Sequence, residues 1–280
     1  MSITIGHLGP SGTYSEQAAV AYVSHFLPPS QAETILCPYP SIAKTLKAIA
    51  NNQVDIAVVP VENSIEGSVA ITLDMLWQLD NLRIILALVI PITHALLSNA
   101  SSISNLEIVY SHPQALAQCQ GWLEQHLPNV KAIAINSTTE ALEKLNRELN
   151  AGTISSPRAA QLYNVPILAS SINDYPDNCT RFWVLSSSMQ PVTGSHTSLA
   201  FSTKANVPGA LVKPLQMFAQ RDINLSRVES RPSKRSLGDY LFFIDLEGNT
   251  ISPTVQAAIS ELIEYTDTLK IFGSYDVLSL

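Results

Sequence analysis

At 280 residues the chain is long enough for about two domains on the usual length relation. An apolar fraction of 46% beside 14% charged residues describes a folded protein and excludes a disordered one. The net charge of −7, without any basic run, gives nucleic-acid binding no electrostatic support, and the most apolar stretch, "IILALVIPI", is too short to span a bilayer.

The first two thirds alternate strand-like and helix-like runs. Strands are expected at "ITIGHL", "ETILC", "VDIAVVPV", "LRIILALVI", "EIVYS", "VKAIAI" and "FWVLS". Helix starts are signalled by Thr13 with Glu16, Ser111 with Gln114 and Ser137 with Glu140, each at capping-box spacing. This alternation predicts an α/β layer fold with parallel strands, whose ligands bind beyond the strands' carboxyl ends, where helix N-termini point.

"SSSMQPVTGSH" (186–196) breaks the periodicity and reads as a linker. Beyond it the order is strand "TSLAFST", a helix from Pro208, strands "LSRVESR" and "DYLFFIDLEG", a helix from Pro253 and strand "TLKIFGS". That is the ferredoxin-like order βαββαβ. Leu211, Leu215 and Phe218 stripe its first helix, and Val255, Ile259, Leu262 and Ile263 its second. Such a unit has one open sheet face and edges that invite a partner.

Four polar clusters carry candidate chemistry. "GHLGPSGTYSEQAA" (6–19) opens the first helix; two glycines free its backbone N–H groups, so it is either a plain capped turn or an anion site. "VDIAVVPVENSIEGSVA" (54–70) runs an apolar strand straight into polar residues, as a ligand loop or as a loop with a cap. "YSHPQALAQC" (110–119) repeats that arrangement with Ser111 at the cap and Gln114 and Gln118 on one helix face. "NCTRFWVL" (178–185) sets Thr180 and Arg181 at the mouth of a strand, an ordinary turn or a proton donor beside a charge. The six histidines have no metal-ligand spacing, so no metal is expected. Cys37, Cys119 and Cys179 are far apart, without a CxxC, which predicts free thiols in a reducing compartment; Cys179 reads as a buried thiol rather than a nucleophile. A strand-like segment begins at once, "SITIGHLG", leaving no room for a leader; a cytoplasmic protein is expected.

In order and spacing, "GPSGTYSEQAA", "VPVENSIEGSV", "YSHPQALAQC", "STTEAL" and "NCTRF" resemble the prephenate dehydratase family, in its monofunctional form. "PGALVKPLQMFAQRDINLSRVESRP" is similar to that family's regulatory ACT domain. The resemblance implies a two-lobed, periplasmic-binding-protein-like (type II) α/β catalytic region at 1–188, a linker at 189–196 and a ferredoxin-like ACT domain at 197–280. It implies Thr180 as the catalytic residue, with Asn63, Ser111, Gln118, Arg181, Phe182, Ser11, Thr13 and Ser64 around the substrate. L-phenylalanine would bind between the ACT domains of a homodimer, or a dimer of dimers, against Gly209, Ala210, Leu211, Val212, Asn224, Glu229, Ser230, Arg231 and Pro232. Pro157 in "AGTISSPRAAQLY" departs from the family pattern and would alter a helix start.

The implied reaction removes CO2 and water from prephenate to give phenylpyruvate, without a cofactor. Threonine is poorly matched in pKa to act as a general acid near neutrality, so Thr180 would act by a directed hydrogen bond or through a relay, with Glu62 or Glu66 as partner. Arg181 would clamp one substrate carboxylate, and the helix N-termini at Thr13 and Ser111 would hold the other. The alternatives are an arogenate dehydratase and a non-catalytic amino-acid sensor.

Overall fold

The computed structural model describes residues 2–27, 33–135, 138–188 and 193–280. In chain order the first two thirds comprise β1 (Ile3–Leu8), α1 (Tyr14–Phe26), β2 (Thr34–Tyr39), α2 (Ile42–Ala50), β3 (Ile56–Asn63), β4 (Gly67–Ser68), α3 (Ala70–Gln78) and β5 (Arg83–Pro91). They continue through β6 (Ala95–Leu97), β7 (Ile108–Ser111), α4 (Pro113–Ala117), α5 (Gln120–His126), β8 (Lys131–Ala134), α6 (Thr138–Leu145), β9 (Ala151–Ser155), α7 (Pro157–Tyr163), β10 (Ile167–Ala169) and β11 (Cys179–Ser186). The last third holds β12 (His196–Thr203), α8 (Val212–Ala219), β13 (Leu225–Pro232), β14 (Tyr240–Glu247), α9 (Pro253–Tyr265) and β15 (Thr266–Ser279). Ser137 and the linker residues 189–192 lie outside the described residues. No described helix is long and apolar enough to cross a membrane.

Two lobes form because the chain leaves the first sheet, builds a second and returns. Lobe 1 orders its strands β5-β11-β3-β1-β2, and lobe 2 orders them β10-β6-β9-β7-β8. The expectation of parallel strands holds within β1–β2–β3 and β7–β8–β9, but β11 is antiparallel to both β3 and β5, and β6 to β9. The reason is the return crossing: β11 re-enters lobe 1 beside the strand by which the chain left. Cys179 pairs with Pro91, and Ile92 N donates to Asn178 O, so the two crossings run side by side.

The C-terminal unit has the expected βαββαβ order, with antiparallel neighbours β13-β14-β12-β15. Its first helix starts at Val212, not Pro208, because residues 207–211 form a hydrogen-bonded turn in which Ala210 N donates to Val207 O. Phe218, Met217, Val255 and Leu262 pack beneath the helices, whereas Ile263 of the expected stripe is 56% exposed.

The other face of this sheet is not open. Ala200, Leu241, Phe243 and Phe272 pack into one core with Trp183, Leu76 and Val61 of lobe 1. Strand β15 then runs on past its own domain: Asp276–Ser279 pair in parallel with Leu86–Val89 of β5, making one continuous sheet. The crossing passes Gly273, whose φ is +139° and where a Cβ would stand 2.6 Å from Ile84 O. Only glycine fits both conditions.

Candidate active site

Alternation along a strand decides which side chains share a face. On β11, Phe182 and Val184 pack with Val58 and Ala18 on the α1 side, while Trp183 and Leu185 pack on the α2, α3 and C-terminal side. Thr180 belongs to the first set and Arg181 to the second. The Thr180 hydroxyl therefore lines a cleft of about 510 Å³ between the lobes, together with Thr13, Asn63, His94, Ser111, Gln118, Ser155 and Ser156. A bulge at Val61, where β3 carries one more residue than β11, precedes the pairing of Asn63 with Thr180.

Asn63 sets the state of that hydroxyl. Its Oδ1 accepts from Ile65 N and Glu66 N, both at 3.0 Å, which fixes the amide orientation. Its two Nδ2 hydrogens are then shared among Thr180 Oγ1 at 2.9 Å, Asn178 Oδ1 at 2.8 Å and Cys179 O at 3.1 Å. With a lone pair engaged by Asn63, the Thr180 O–H is left to donate into the cleft.

The chain of amides continues. Asn178 Nδ2 donates to Gln118 Oε1 at 3.0 Å, and His94 Nε2 faces that oxygen at 3.0 Å. Gln118 Nε2 points to Glu66 Oε1 at 3.5 Å, so Oε1 is the acceptor and the neutral His94 donates from Nε2. Burial, against a smaller opposing effect of Gln118, lowers the His94 pKa below its ordinary 6.5. Burial likewise pushes the Tyr14 phenol up, and its hydroxyl donates to Thr93 O at 2.7 Å.

Several expected positions fall elsewhere. Arg181 is not a carboxylate clamp in this geometry: its guanidinium lies 3.5 Å from both Glu62 and Asp245, on the face away from the cleft. Glu62 is thereby removed as a relay partner for Thr180, and the Glu66 carboxylate faces Gln118 Nε2 at 3.5 Å. Ser64 accepts from Cys179 N and braces the strand entry, and neither Ser64 nor Ser11 lines the cleft. Ser111 is not a cap: it ends β7 and its hydroxyl donates to Ile154 O at 2.7 Å, while His112 Nδ1 accepts from Gln114 N as the cap of α4. Thr13 does cap α1, accepting from Glu16 N at 3.3 Å, but the Glu16 carboxylate accepts from Gly12 N rather than Thr13 N. Pro157 stands at the first helical position of α7, where its ring suits the helix, behind the cap Ser156. Cys179 is half-buried, and the Cys119 thiol is pushed up to about 12 by burial.

Three contacts clasp the lobes at the cleft's edge. Ser156 Oγ donates to Gly12 O at 2.7 Å, Arg158 Nη2 pairs with Glu16 at 3.1 Å, and Tyr163 OH donates to Ser11 O at 3.1 Å. His94, Ser155, Ser156 and Asn178 had no assigned role from sequence, although Asn178 stands in the quoted "NCTRF". No lysine or arginine is among the described residues that line the cleft.

In the C-terminal unit, strand alternation splits the expected effector residues. Glu229 accepts from Ser68 Oγ, and Arg231 makes a two-pronged pair with Asp74 at 3.1 and 3.2 Å, so both side chains face lobe 1. Val228 and Ser230 point the other way and are exposed, as is Gly209 at the turn before α8. Asn224 Nδ2 donates to Glu247 at 2.8 Å.

Two α/β lobes joined by paired crossings around a polar cleft, carrying a fused βαββαβ unit, define a periplasmic-binding-protein-like catalytic fold with a C-terminal ACT domain. The family profile described as prephenate dehydratase matches residues 5–190, and that of the ACT domain matches residues 197–264. The chain belongs to the prephenate dehydratase family. It is 43% identical to a bifunctional chorismate mutase/prephenate dehydratase of Aquifex aeolicus, over 98% of this chain and 73% of that protein. It is 36% identical to a prephenate dehydratase of Lactococcus lactis, over 99% of this chain and 98% of that one. Among solved structures, prephenate dehydratase in complex with L-Phe from Arthrobacter aurescens superposes with a TM-score of 0.86 at 33% identity, over 98% of this chain and 90% of that one.

Proposed function

We infer that this chain converts prephenate to phenylpyruvate, releasing CO2 and water, under control of L-phenylalanine held by the ACT domain. The observation that carries the reading is the Thr180 hydroxyl, oriented by Asn63 and free to donate into the cleft. Loss of the ring carboxylate as CO2 sends its electron pair into the ring, which becomes aromatic as the C–O bond to the hydroxyl breaks. Thr180 hydrogen-bonds that departing oxygen, which leaves as hydroxide and takes its proton from solvent. Aromatisation drives the step, so orientation and one directed hydrogen bond are the protein's main tasks.

With no cation among the described residues that line the cleft, the substrate's two carboxylates are held by neutral donors. The N-terminus of α1 behind Thr13 supplies backbone N–H groups and a favourable dipole. On the lobe 2 side the Gln118 amide lines the cleft, its oxygen held by His94. This arrangement suits a net acidic protein that must take an anion.

The effector site is read at the turn 209–212 with the outward side chains of β13. Exposed Val207, Val212 and Val228 surround it, an apolar surface that a second ACT domain would cover in a homodimer. A cytoplasmic setting accords with the free thiols of Cys37, Cys119 and Cys179. Purified protein assayed on prephenate and on arogenate, with and without L-phenylalanine, tests the reading. Turnover of prephenate with inhibition is expected; L-phenylalanine binding with no turnover of either compound leaves only a sensor.

A further inference from the structure

A charged cluster lies directly behind the catalytic strands, at the seam with the ACT domain. Asp245 of β14, only 1% exposed at its side chain, stands at its centre. Arg227 Nε of β13 donates to Asp245 Oδ2 at 2.7 Å and its Nη2 to Oδ1 at 3.3 Å. The same Arg227 guanidinium lies 5.2 Å over the Trp183 ring of β11. Arg181 approaches Asp245 from the catalytic side at 3.5 Å and also pairs with Glu62. Ser198 donates to Asp245 Oδ1 and shares a hydrogen bond with the Tyr275 hydroxyl.

The positions of these groups matter more than their number. Arg181 follows Thr180, and Glu62 precedes Asn63, so the two cleft residues and the two ion-paired residues are neighbours on β11 and β3 with opposite faces. Arg181 and Thr180 share one strand, so a pull on the guanidinium that its rotamers do not absorb acts on the backbone that aims the Thr180 hydroxyl. On the far side, Arg227 lies on the strand whose outward residues, Val228 and Ser230, border the proposed effector site. A buried carboxylate holding two arginines resists gradual displacement, because leaving Asp245 unpaired is costly; such a contact changes between discrete arrangements.

We propose that Asp245 is a positioning residue for catalysis: from the ACT domain it holds Arg181, and through Arg181 it sets the place of the Thr180 hydroxyl and passes the effector's displacement of β13 to it. This rests on the reading of the cleft as a prephenate site. The test uses the full chain carrying Asp245→Asn, which keeps shape and removes charge. A misplacement of about 1 Å costs on the order of 100-fold in rate, so kcat on prephenate is expected to fall by roughly 10- to 100-fold with KM unchanged. Binding of L-phenylalanine, measured by calorimetry, persists, while its inhibitory factor shrinks by about 2- to 30-fold. A purely structural role would lower the melting temperature and leave kcat per folded molecule and the inhibition as they were; that result overturns the proposal. So does a raised KM at unchanged kcat, which would place the pair in substrate binding.

Should Asp245→Asn not fold, Arg181→Lys, which keeps the charge but loses the fork, is expected to shift kcat and inhibition in the same direction, and normal values for both overturn the link. Hydrogen exchange over residues 178–186 is a readout independent of turnover. L-phenylalanine changes it in the unsubstituted chain and not in Asp245→Asn; equal responses in the two overturn the link. An unsubstituted chain that does not consume prephenate refutes the assignment of the cleft, and the exchange measurement then decides the link alone.

Discussion

Asn63 Nδ2 lies 2.9 Å from Thr180 Oγ1, and the two residues are register partners across antiparallel β3 and β11. The amide donates because its oxygen is already tied to two backbone N–H groups. Thr180→Ala is expected to lower kcat on prephenate by about 10²–10⁴-fold with the fold intact by circular dichroism. Asn63→Asp makes a sharper check: at unchanged side-chain size an acceptor replaces the donor to Thr180, Asn178 and Cys179, the Thr180 hydroxyl turns to it, and kcat falls. Normal turnover by either variant removes that residue from the mechanism.

The clasp between the lobes should respond to acid. Burial raises the Glu16 carboxyl, but Arg158 and the Gly12 N–H outweigh it and hold the folded value below the ordinary 4.5. The folded value lies under the unfolded one, so this stabilisation is whole above about pH 4.5 and is lost as the pH falls through the depressed value. Glu16→Gln should be less stable than the unsubstituted chain at pH 7, by roughly 1 kcal/mol for one partly exposed pair. Thermal unfolding followed down to pH 3 should show the two melting curves converge. A gap that persists in acid places the effect elsewhere.

Gly209 has a φ of +82°, and nothing lies within 4 Å of where its Cβ would be. A side chain there meets no neighbouring atom, although the left-handed backbone strains any residue but glycine, and it would occupy the space proposed for the effector. Gly209→Val is expected to raise the L-phenylalanine concentration for half inhibition at least about tenfold, the equivalent of 1.4 kcal/mol. An unchanged inhibition curve would put the effector elsewhere.

Gly273, with φ of +139°, differs from Gly209 in space: a backbone oxygen lies 2.6 Å from its Cβ position. Gly273→Ala should cost about 1–3 kcal/mol, read as a lower melting temperature. An unaltered melting temperature would mean that β15 crosses the seam without strain at this residue.

What the sequence made legible follows from how strongly each feature is patterned. The apolar runs of β1, β3, β5 and β11 and the C-terminal βαββαβ order are long and periodic. Strands β6 and β10, three residues each, and β9 carry too little alternation to register, and pairing with neighbours defines them. The misplacement of Arg181 came from taking the charge and the hydroxyl as one cluster; adjacent residues on a strand face opposite ways, and β11 begins at Cys179, one residue before Thr180. The same parity divides Glu229 and Arg231 from Ser230. His94 gave no signal, because its partners Gln118 and Tyr14 are distant in sequence.

The last strand belongs to two bodies at once. The ACT profile ends at residue 264, yet the hydrogen bonds that finish lobe 1 come from 276–279. Cutting the chain at a boundary chosen by sequence likeness would therefore strip an edge from β5 as well as removing the regulator. A transplanted ACT unit would need both its own β15 and a host strand able to receive it.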